Sequence, residues 1–407
     1  MIVTRTEKHV IGSSNPFFDM LMDFCHKSKN LYNHANYLIR QEFVSNDKWI
    51  RYEELDKLLK ADTEYADYAE MPTAQSAQQT LRLIDKNYKS FFKAIKDWSK
   101  HKEKYLGRPK LPNYLKKNSE YLLILTNQDC KVKDGYVHFP KVFKGFRIKP
   151  KFIEREDYNS FQQVRIIPHK NKLTIELVYK INICDKKADN NRYIGIDIGV
   201  NNLATVANNI DDTAFIINGR PVKSINQFYN KQISYYSGIC KRMNSRDYSS
   251  RMDRLTETRN AKINDYMHKA SRKIIDYCIG NQINTIVIGK NKEWKQEVDI
   301  GKKNNQNFVH IPFARLIEMI QYKAEECGIA VILTEESYTS GTSFIDDEQP
   351  VKESYNKARR VKRGLFRSNN GTLINADLNG AYQIIKKVAP IKWSRGCALH
   401  PVVVNIV

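Results

Sequence analysis

The spacing of apolar residues changes twice along the chain. Over residues 1–12, Val3 and Val10 flank polar positions in a short strand pattern, which the breaker run Gly12-Ser13-Ser14-Asn15-Pro16 ends. From Phe17 to about Trp98 the apolar positions fall three and four residues apart, as in Phe17, Met20, Leu21, Phe24 and later Leu31 and Leu38. That period predicts a helical bundle inserted after one strand. Its last helix, Ala74 to Lys96, has Leu81, Leu83, Ile84, Phe91, Phe92 and Ile95 as its core side and a polar stripe of Gln75, Gln78, Gln79 and Arg82 toward its start. Gly107, Pro109 and Pro112 mark a break. Short strands follow at Tyr121–Thr126, Tyr136–Phe139, Gln163–Pro168 and Leu173–Tyr179, the last two separated by the hairpin-like His169-Lys170-Asn171-Lys172. An all-β barrel that takes in the first strand is the economical expectation, closed off by the polar linker Asp185 to Arg192.

From Tyr193 strands and helices alternate, which predicts an α/β sheet. Strands Tyr193–Ile198 and Leu203–Ala207 and a third around Ala214–Ile217 precede a long basic helical stretch from about Ser224 to Ile279. Strand Thr285–Ile288, helix Pro312–Cys327, strand Ala330–Thr334, a basic loop and a last helix beginning near Asp377 complete the series. Three hairpin-ordered strands, then helix, strand, helix, strand, is the order of an RNase H-like fold. The expected fold class is therefore α+β multidomain: a helical lobe, a β-barrel and an RNase H-like α/β domain.

Composition narrows the function. A chain of 407 residues exceeds one ordinary domain, and 41% hydrophobic with 28% charged residues supports a buried core rather than disorder. Sixty-seven Lys and Arg against 45 Asp and Glu leave a formal charge of +22, which points to a polyanionic partner, foremost nucleic acid. The excess is local. Residues 101–150 hold twelve basic against four acidic side chains and residues 351–407 eleven against two, whereas residues 301–350 hold four against eight. In the first basic block Tyr105, Tyr114, Tyr121, Phe143 and Phe146 alternate with Arg108, Lys110, Lys116 and Lys117, a mixture suited to phosphates and stacked bases. Nothing approaches the roughly 18 consecutive apolar residues of a membrane span, so a cytosolic protein with no membrane partner is expected. The seven cysteines are scattered without a C-x-x-C pair, which argues against a disulfide scaffold.

Two acids stand where chemistry is plausible. Asp197, in Gly195-Ile196-Asp197-Ile198-Gly199, is an acid in a strand between glycines, where it is otherwise unfavourable. The alternation points the isoleucines into the core and Asp197 away, and the glycines would let a phosphate backbone approach. Asp377, in Asn375-Ala376-Asp377-Leu378-Asn379-Gly380-Ala381, stands at a helix start, where it could be a simple N-cap. Its small neighbours suggest close packing of helix on sheet instead.

Gly195-Ile-Asp-Ile-Gly-Val-Asn-Asn-Leu-Ala-Thr, Tyr338-Thr339-Ser340-Gly-Thr-Ser and Ala376-Asp377-Leu-Asn-Gly-Ala together resemble the RuvC nuclease motifs of the TnpB (OrfB) family of insertion sequences, relatives of the type V CRISPR effectors. The resemblance runs through the chain. It implies a first wedge strand over residues 1–15, a helical recognition lobe over 16–110, a wedge barrel over 111–190 and a RuvC-like nuclease domain over 191–407, with a helical insertion at about 224–279. It further implies an RNA-guided DNA endonuclease that uses a transposon-derived guide RNA, one protein per guide, reads a short target-adjacent motif on double-stranded DNA and cuts with two Mg²⁺, for which Mn²⁺ can substitute. The alternative is a nuclease-inactive RNA-guided repressor.

Two departures matter. The family's second catalytic acid is a Glu ending the strand after the long helical stretch, and here that place reads Ile288-Gly289-Lys290. The neighbouring strand ends in Glu335-Glu336, and adjacent strands lie roughly 4.8 Å apart, a gap a Glu side chain can bridge. Glu336, with Glu335 as its alternative, is therefore expected to complete the metal ligands Asp197 and Asp377, with Gly289 making room. Glu293 and Glu297 are weaker candidates. The family's two C-x-x-C pairs are also absent. Ser343 and Ser368-Asn-Asn-Gly371 stand near their places in a degenerate loop at about 344–372, so no zinc is expected, and Arg360 and Arg363 are assigned instead to nucleic acid. In the family the lobe and wedge read the target-adjacent duplex, which assigns nucleic-acid binding to Gln75, Gln78, Gln79, Thr126 and Asn127, with Arg108 and Lys110 on the basic approach. Trp294, Lys295 and Gln296 are further candidates for the channel.

Overall fold

Residues 1–100 fold as strand β1 (Ile2–Gly12) followed by helices α1 (Phe18–Asn46), α2 (Tyr52–Ala61) and α3 (Ala74–Lys100). The computed structural model describes residues 1–407 apart from 63, 245–247, 291–309, 363, 393–396 and 407. Two units emerge, Met1–Asn182 and Ile183–Val407.

In the first unit α3 begins on a capping box, in which the Thr73 hydroxyl accepts from the Ser76 amide and the Thr73 amide donates to Ser76 Oγ. Its buried face is Ala77, Thr80, Leu81, Ile84 and Tyr88. The core side is thus shifted toward the N-terminus of the helix, and Leu83, Phe91, Phe92 and Ile95 are only partly buried. An apolar period passes over Tyr88 because the residue carries a hydroxyl, which in the fold donates to Asn36 Oδ1 of α1 at 2.7 Å. Strands β2 (Leu123–Thr126), β3 (Lys131–Lys133), β4 (Tyr136–His138), β5 (Arg147–Ile148), β6 (Tyr158–His169) and β7 (Lys172–Asn182) make up the rest. They form a four-stranded sheet in the order β1-β7-β6-β2 and a three-stranded sheet β3-β4-β5. The opening strand does join this part of the chain, with Ile2 to Gly12 antiparallel to Asn182 to Lys172.

The second unit is a six-stranded mixed sheet with helices on both faces. Its strands and helices are β8 (Tyr193–Asp197), β9 (Asn202–Asn208), β10 (Phe215–Asn218), α4 (Arg220–Asn244), α5 (Ser250–Gly280), β11 (Thr285–Gly289), α6 (Phe313–Glu326) and β12 (Ala330–Thr334). A small antiparallel sheet of β13 (Arg360–Lys362), β14 (Leu365–Arg367) and β15 (Leu373–Asn375) follows, then α7 (Ala376–Lys386) and β16 (Val402–Val404). The main sheet runs β12-β11-β8-β9-β10-β16, with β8 antiparallel to β9, β9 to β10, and β11 and β12 parallel to β8. The long basic stretch is two helices, since Ser249 caps a new start by accepting from the Met252 amide.

The pleat divides the sheet cleanly. Ile194 and Ile196 of β8, Ile198 just beyond it, and Ile286 and Ile288 of β11 pack with Met267 and Ile274 of α5 and Leu316 and Ile320 of α6. Tyr193 and Ala207 pack on the opposite face with Leu378, Ala381, Tyr382 and Ile385 of α7. By alternation Gly195 and Asp197 belong to that second face. Gly195 is needed there by the helix rather than by a nucleic acid, because a Cβ would lie 2.1 Å from the Ala381 carbonyl oxygen and 2.6 Å from Ile385 Cγ1. Gly199 likewise serves the turn into β9, its Cβ position lying 2.9 Å from the Asn202 carbonyl. This corrects the expectation that the two glycines open the strand to a phosphate backbone. A backbone carbonyl cannot move aside as a side chain can, so Gly195→Ala is expected to destabilise the second unit by about 3 kcal/mol or more, measured as a lowered denaturation midpoint.

Candidate active site

The site lies at the C-terminal ends of β8, β11 and β12, on the face covered by α7. Register aligns these ends: Ile288 is opposite Ile196, and Gly289 is opposite Thr334. Asp197 ends the first strand and Gly289 the second. Beyond Thr334 the chain continues as Glu335-Glu336, which the pleat would send to opposite faces.

The two glutamates have different surroundings. Glu335 is exposed, and its Oε1 accepts from Ser337 Oγ at 2.7 Å. Glu336 fills the space beside Gly289, where a Cβ would lie 2.5 Å from its Cγ and 2.6 Å from its Oε1. Burial pushes the Glu336 carboxyl up to about 7 against the opposing pull of the Lys387 ammonium. Asp197 is raised well above the ordinary carboxylate range by burial first, then by the charges of Asp377 and Glu336, with Arg360 pulling the other way. These effects identify Asp197, Glu336 and Asp377 as one electrostatic group.

Asp377 comes to the group through its helix. Asn375 is the N-cap of α7, its Oδ1 accepting from the amides of Asp377 and Leu378 at 3.0 Å each. Asp377 is therefore relieved of capping, although the sequence left that role open. Its two oxygens accept from Asn202 Nδ2 at 2.6 Å and Arg360 Nη2 at 3.2 Å. One turn on, Gly380 faces Asp197, and a Cβ there would lie 2.9 Å from Asp197 Oδ2. Asn202 is a participant that sequence reasoning missed; it stands in the same Val-Asn-Asn turn that follows Asp197.

The donor set suits a hard divalent cation: three carboxylates, with Asp197 and Glu336 raised chiefly by burial, in a cradle kept open by glycines at 289 and 380. As placed, and among the described residues, no three His, Cys, Asp or Glu side chains converge closely enough to hold one ion. Arg360, 42% exposed, contributes the positive charge at Asp377.

The degenerate loop beside the site is joined by polar contacts. Glu348 accepts from the Ser343 amide at 2.7 Å and from Arg359 Nη1 at 2.7 Å, and Asp346 accepts from the Asn369 amide at 2.8 Å. Arg359 therefore ties residues 343–348 to the hairpin that carries Arg360.

The remaining expected residues lie elsewhere. Gln75, Gln78 and Gln79 are partly buried on the first turns of α3, and Arg82 lies over the Tyr52 ring at 4.0 Å. The Thr126 hydroxyl is engaged in a local turn with Asp129 at 3.2 Å, and Asn127 is exposed. Arg108 and Lys110 are exposed. Arg363, Glu293, Trp294, Lys295, Gln296 and Glu297 lie outside the described residues.

A mixed α/β sheet thus groups acids from two strand ends and a helix start on one face. The family model OrfB_IS605, described as "Probable transposase", matches residues 172–295, and the Cas12f1-like TNB domain matches residues 313–384. These matches and the relatives below make the chain similar to TnpB proteins and to the related type V effectors. It is 22% identical over 397 residues to the TnpB-like protein ORF457 of Acidianus two-tailed virus, covering 89% of this chain and 82% of that one. It is 29% identical over 210 residues to the CRISPR-associated endodeoxyribonuclease Cas12f2 of a Micrarchaeota archaeon, covering 48% of this chain but only 36% of that relative's length. Among solved structures, the mini-RNA-guided endonuclease CRISPR-Cas_phi3 aligns over 98% of this chain and 93% of its own, at 11% identity and a TM-score of 0.45.

Proposed function

We propose that this protein is an RNA-guided DNA endonuclease that cleaves beside a short target-adjacent motif, with Asp197, Glu336 and Asp377 as its divalent-metal ligands. The observation that carries the reading is the seating of Glu336 against Gly289, on the face that holds Asp197 and Asp377. A carboxylate lost from one strand end is thereby supplied from the next strand, so the acid count that two-metal phosphodiester hydrolysis requires is kept. Bound Mg²⁺ or Mn²⁺ supplies Lewis-acid polarisation of the scissile phosphodiester.

The chain's own residues prepare the site. Burial raises the carboxyls of Glu336 and Asp197 above the ordinary range, so both side chains are already partly stripped of water, and a bound cation would favour their ionised forms. Asn202 fixes the rotation of the Asp377 carboxylate, and Arg360 provides a cationic group beside it for a phosphate. Sequence is read by pairing with a transposon-derived guide RNA, while Gln75, Gln78, Gln79 and Asn127 offer amides suited to adenine edges in the adjacent motif.

The test is to sequence RNA that co-purifies with the protein and then present a matched DNA target beside a randomised flank in Mg²⁺ or Mn²⁺. Cleavage dependent on the match and restricted to a subset of flanks is expected. Guide-dependent binding that leaves the DNA whole would replace this reading with that of an RNA-guided repressor.

A further inference from the structure

Between α3 and β2, residues 108–116 adopt neither helix nor strand, yet the backbone from Pro112 to Tyr121 is held at successive points by one face of α1. Cys25 O accepts from the Tyr121 amide at 2.9 Å, and Lys29 Nζ donates to the Lys117 carbonyl at 2.9 Å. Asn33 makes a reciprocal pair with Leu115, donating to its carbonyl at 2.9 Å and accepting from its amide at 2.8 Å. Asn36 donates to the Pro112 carbonyl at 3.2 Å, and Arg40 donates to the same oxygen. Positions 25, 29, 33, 36 and 40 recur every three or four residues, so these groups stack along a single helix face.

The cost of this arrangement shows that it is built. Lys29 is only 4% exposed and Asn36 fully buried, positions where an unpaired ammonium or amide would be strongly unfavourable. Their partners are backbone carbonyls of the strap, so burial of these two side chains depends on the strap being in place. Pro109 and Pro112 restrict its backbone further.

With its backbone pinned inward, the strap presents its long cations outward. Arg108, Lys110, Lys116 and Lys117 are all exposed, and none is ion-paired among the described residues. No acidic residue occurs between Lys104 and Ser119. A run of exposed cations spaced along an extended backbone, with no ion pair among the described residues, is matched to a repeating anion rather than to a single small one.

Resting on the nucleic-acid reading above, we propose that residues 108–117 are a preorganised binding strap for a phosphodiester backbone. Arg108, Lys110, Lys116 and Lys117 contact phosphates independently of base sequence, and Lys29, Asn33, Asn36 and Arg40 are the positioning residues that keep the strap straight.

The test measures affinity for a labelled RNA hairpin and for a labelled DNA duplex, each of mixed sequence, across a KCl series. In the full-length variant R108Q/K110Q/K116Q/K117Q the dependence of log affinity on log salt is expected to become shallower by about 3 to 4 on whichever nucleic acid is the ligand. Affinity at moderate salt should fall by at least about tenfold, equally for unrelated sequences. Asn33→Ala retains every strap charge, so it is expected to keep the salt slope while weakening binding and admitting trypsin at Lys110, Lys116 and Lys117. A folded quadruple variant with wild-type affinity and slope on both probes would overturn the strap alone. If the wild-type protein bound neither probe, the strap and the nuclease reading would fall together.

Discussion

Glu336→Gln is expected to lower metal-dependent cleavage of a guide-matched target by about 10³-fold, the loss that follows if one ligand's contribution to transition-state charge stabilisation is roughly 4 kcal/mol. Glu335→Gln should remain within about twofold of the parent, as surface substitutions away from a site do. The contrast comes from geometry. Glu336 is on the α7 face, close enough to Asp197 for its charge to raise that carboxyl, whereas Glu335 is exposed and satisfied by Ser337. Glutamine keeps the shape of the side chain and removes its charge, so guide and target binding should be unchanged in both variants. The measurement is single-turnover cleavage beside equilibrium binding of the same duplex. Equal effects of the two substitutions on cleavage, or loss of binding with Glu336→Gln, would remove Glu336 from the ligand set.

Moving the acid back should restore part of that loss. In the Glu336→Ala background, Gly289→Glu is expected to recover cleavage by at least about tenfold, since one tenfold step corresponds to about 1.4 kcal/mol of barrier. That background removes the two Glu336 contacts and leaves only the end of the Ile384 side chain to shift. In the parent, a Cβ at 289 would meet Glu336 Cγ at 2.5 Å and Ile384 Cδ1 at 2.7 Å, so Gly289→Glu alone should destabilise the unit by about 1 to 3 kcal/mol through overpacking. It should also bring two carboxylates into repulsion. Failure of the double variant to exceed Glu336→Ala, with folding and DNA binding intact, would show that position 289 cannot address the site and would separate Gly289 from the placement of Glu336.

Several parts of this arrangement were legible in order and pattern. The α/β strand order, the helix that starts at Ala376 and the pairing of the first strand with the sheet of residues 123–182 follow from apolar alternation and breakers. A pleat of period two placed Asp197 on the face opposite the isoleucines and let only one of Glu335 and Glu336 share it, whereas Asp377 was suggested by its motif at a helix start. Other parts were not legible. Gly195 and Gly199 read as openings for a phosphate, but what they accommodate is the Ala381 carbonyl and the Asn202 turn, contacts set by packing between segments distant or folded back in sequence. Tyr88 and Asn36 look polar, and become core because the Tyr88 hydroxyl donates to Asn36 Oδ1 while the Asn36 amide donates to the Pro112 carbonyl.

The strap carries the same lesson. Lys29, Asn33 and Arg40 have no reason to share a role in a one-dimensional pattern, where they break the apolar stripe of a helix. Sequence by itself determined which residue types were available, their alternation along each strand, and hence the number of acids that could face one side of the sheet. Tertiary structure decided which glutamate enters the site, that Asn375 rather than Asp377 caps α7, and which polar side chains of α1 hold a distant backbone. The physical reason is range. Pleat and helix period act between neighbours in the chain, whereas excluded volume and the pairing of buried polar groups act between whatever surfaces the fold brings together.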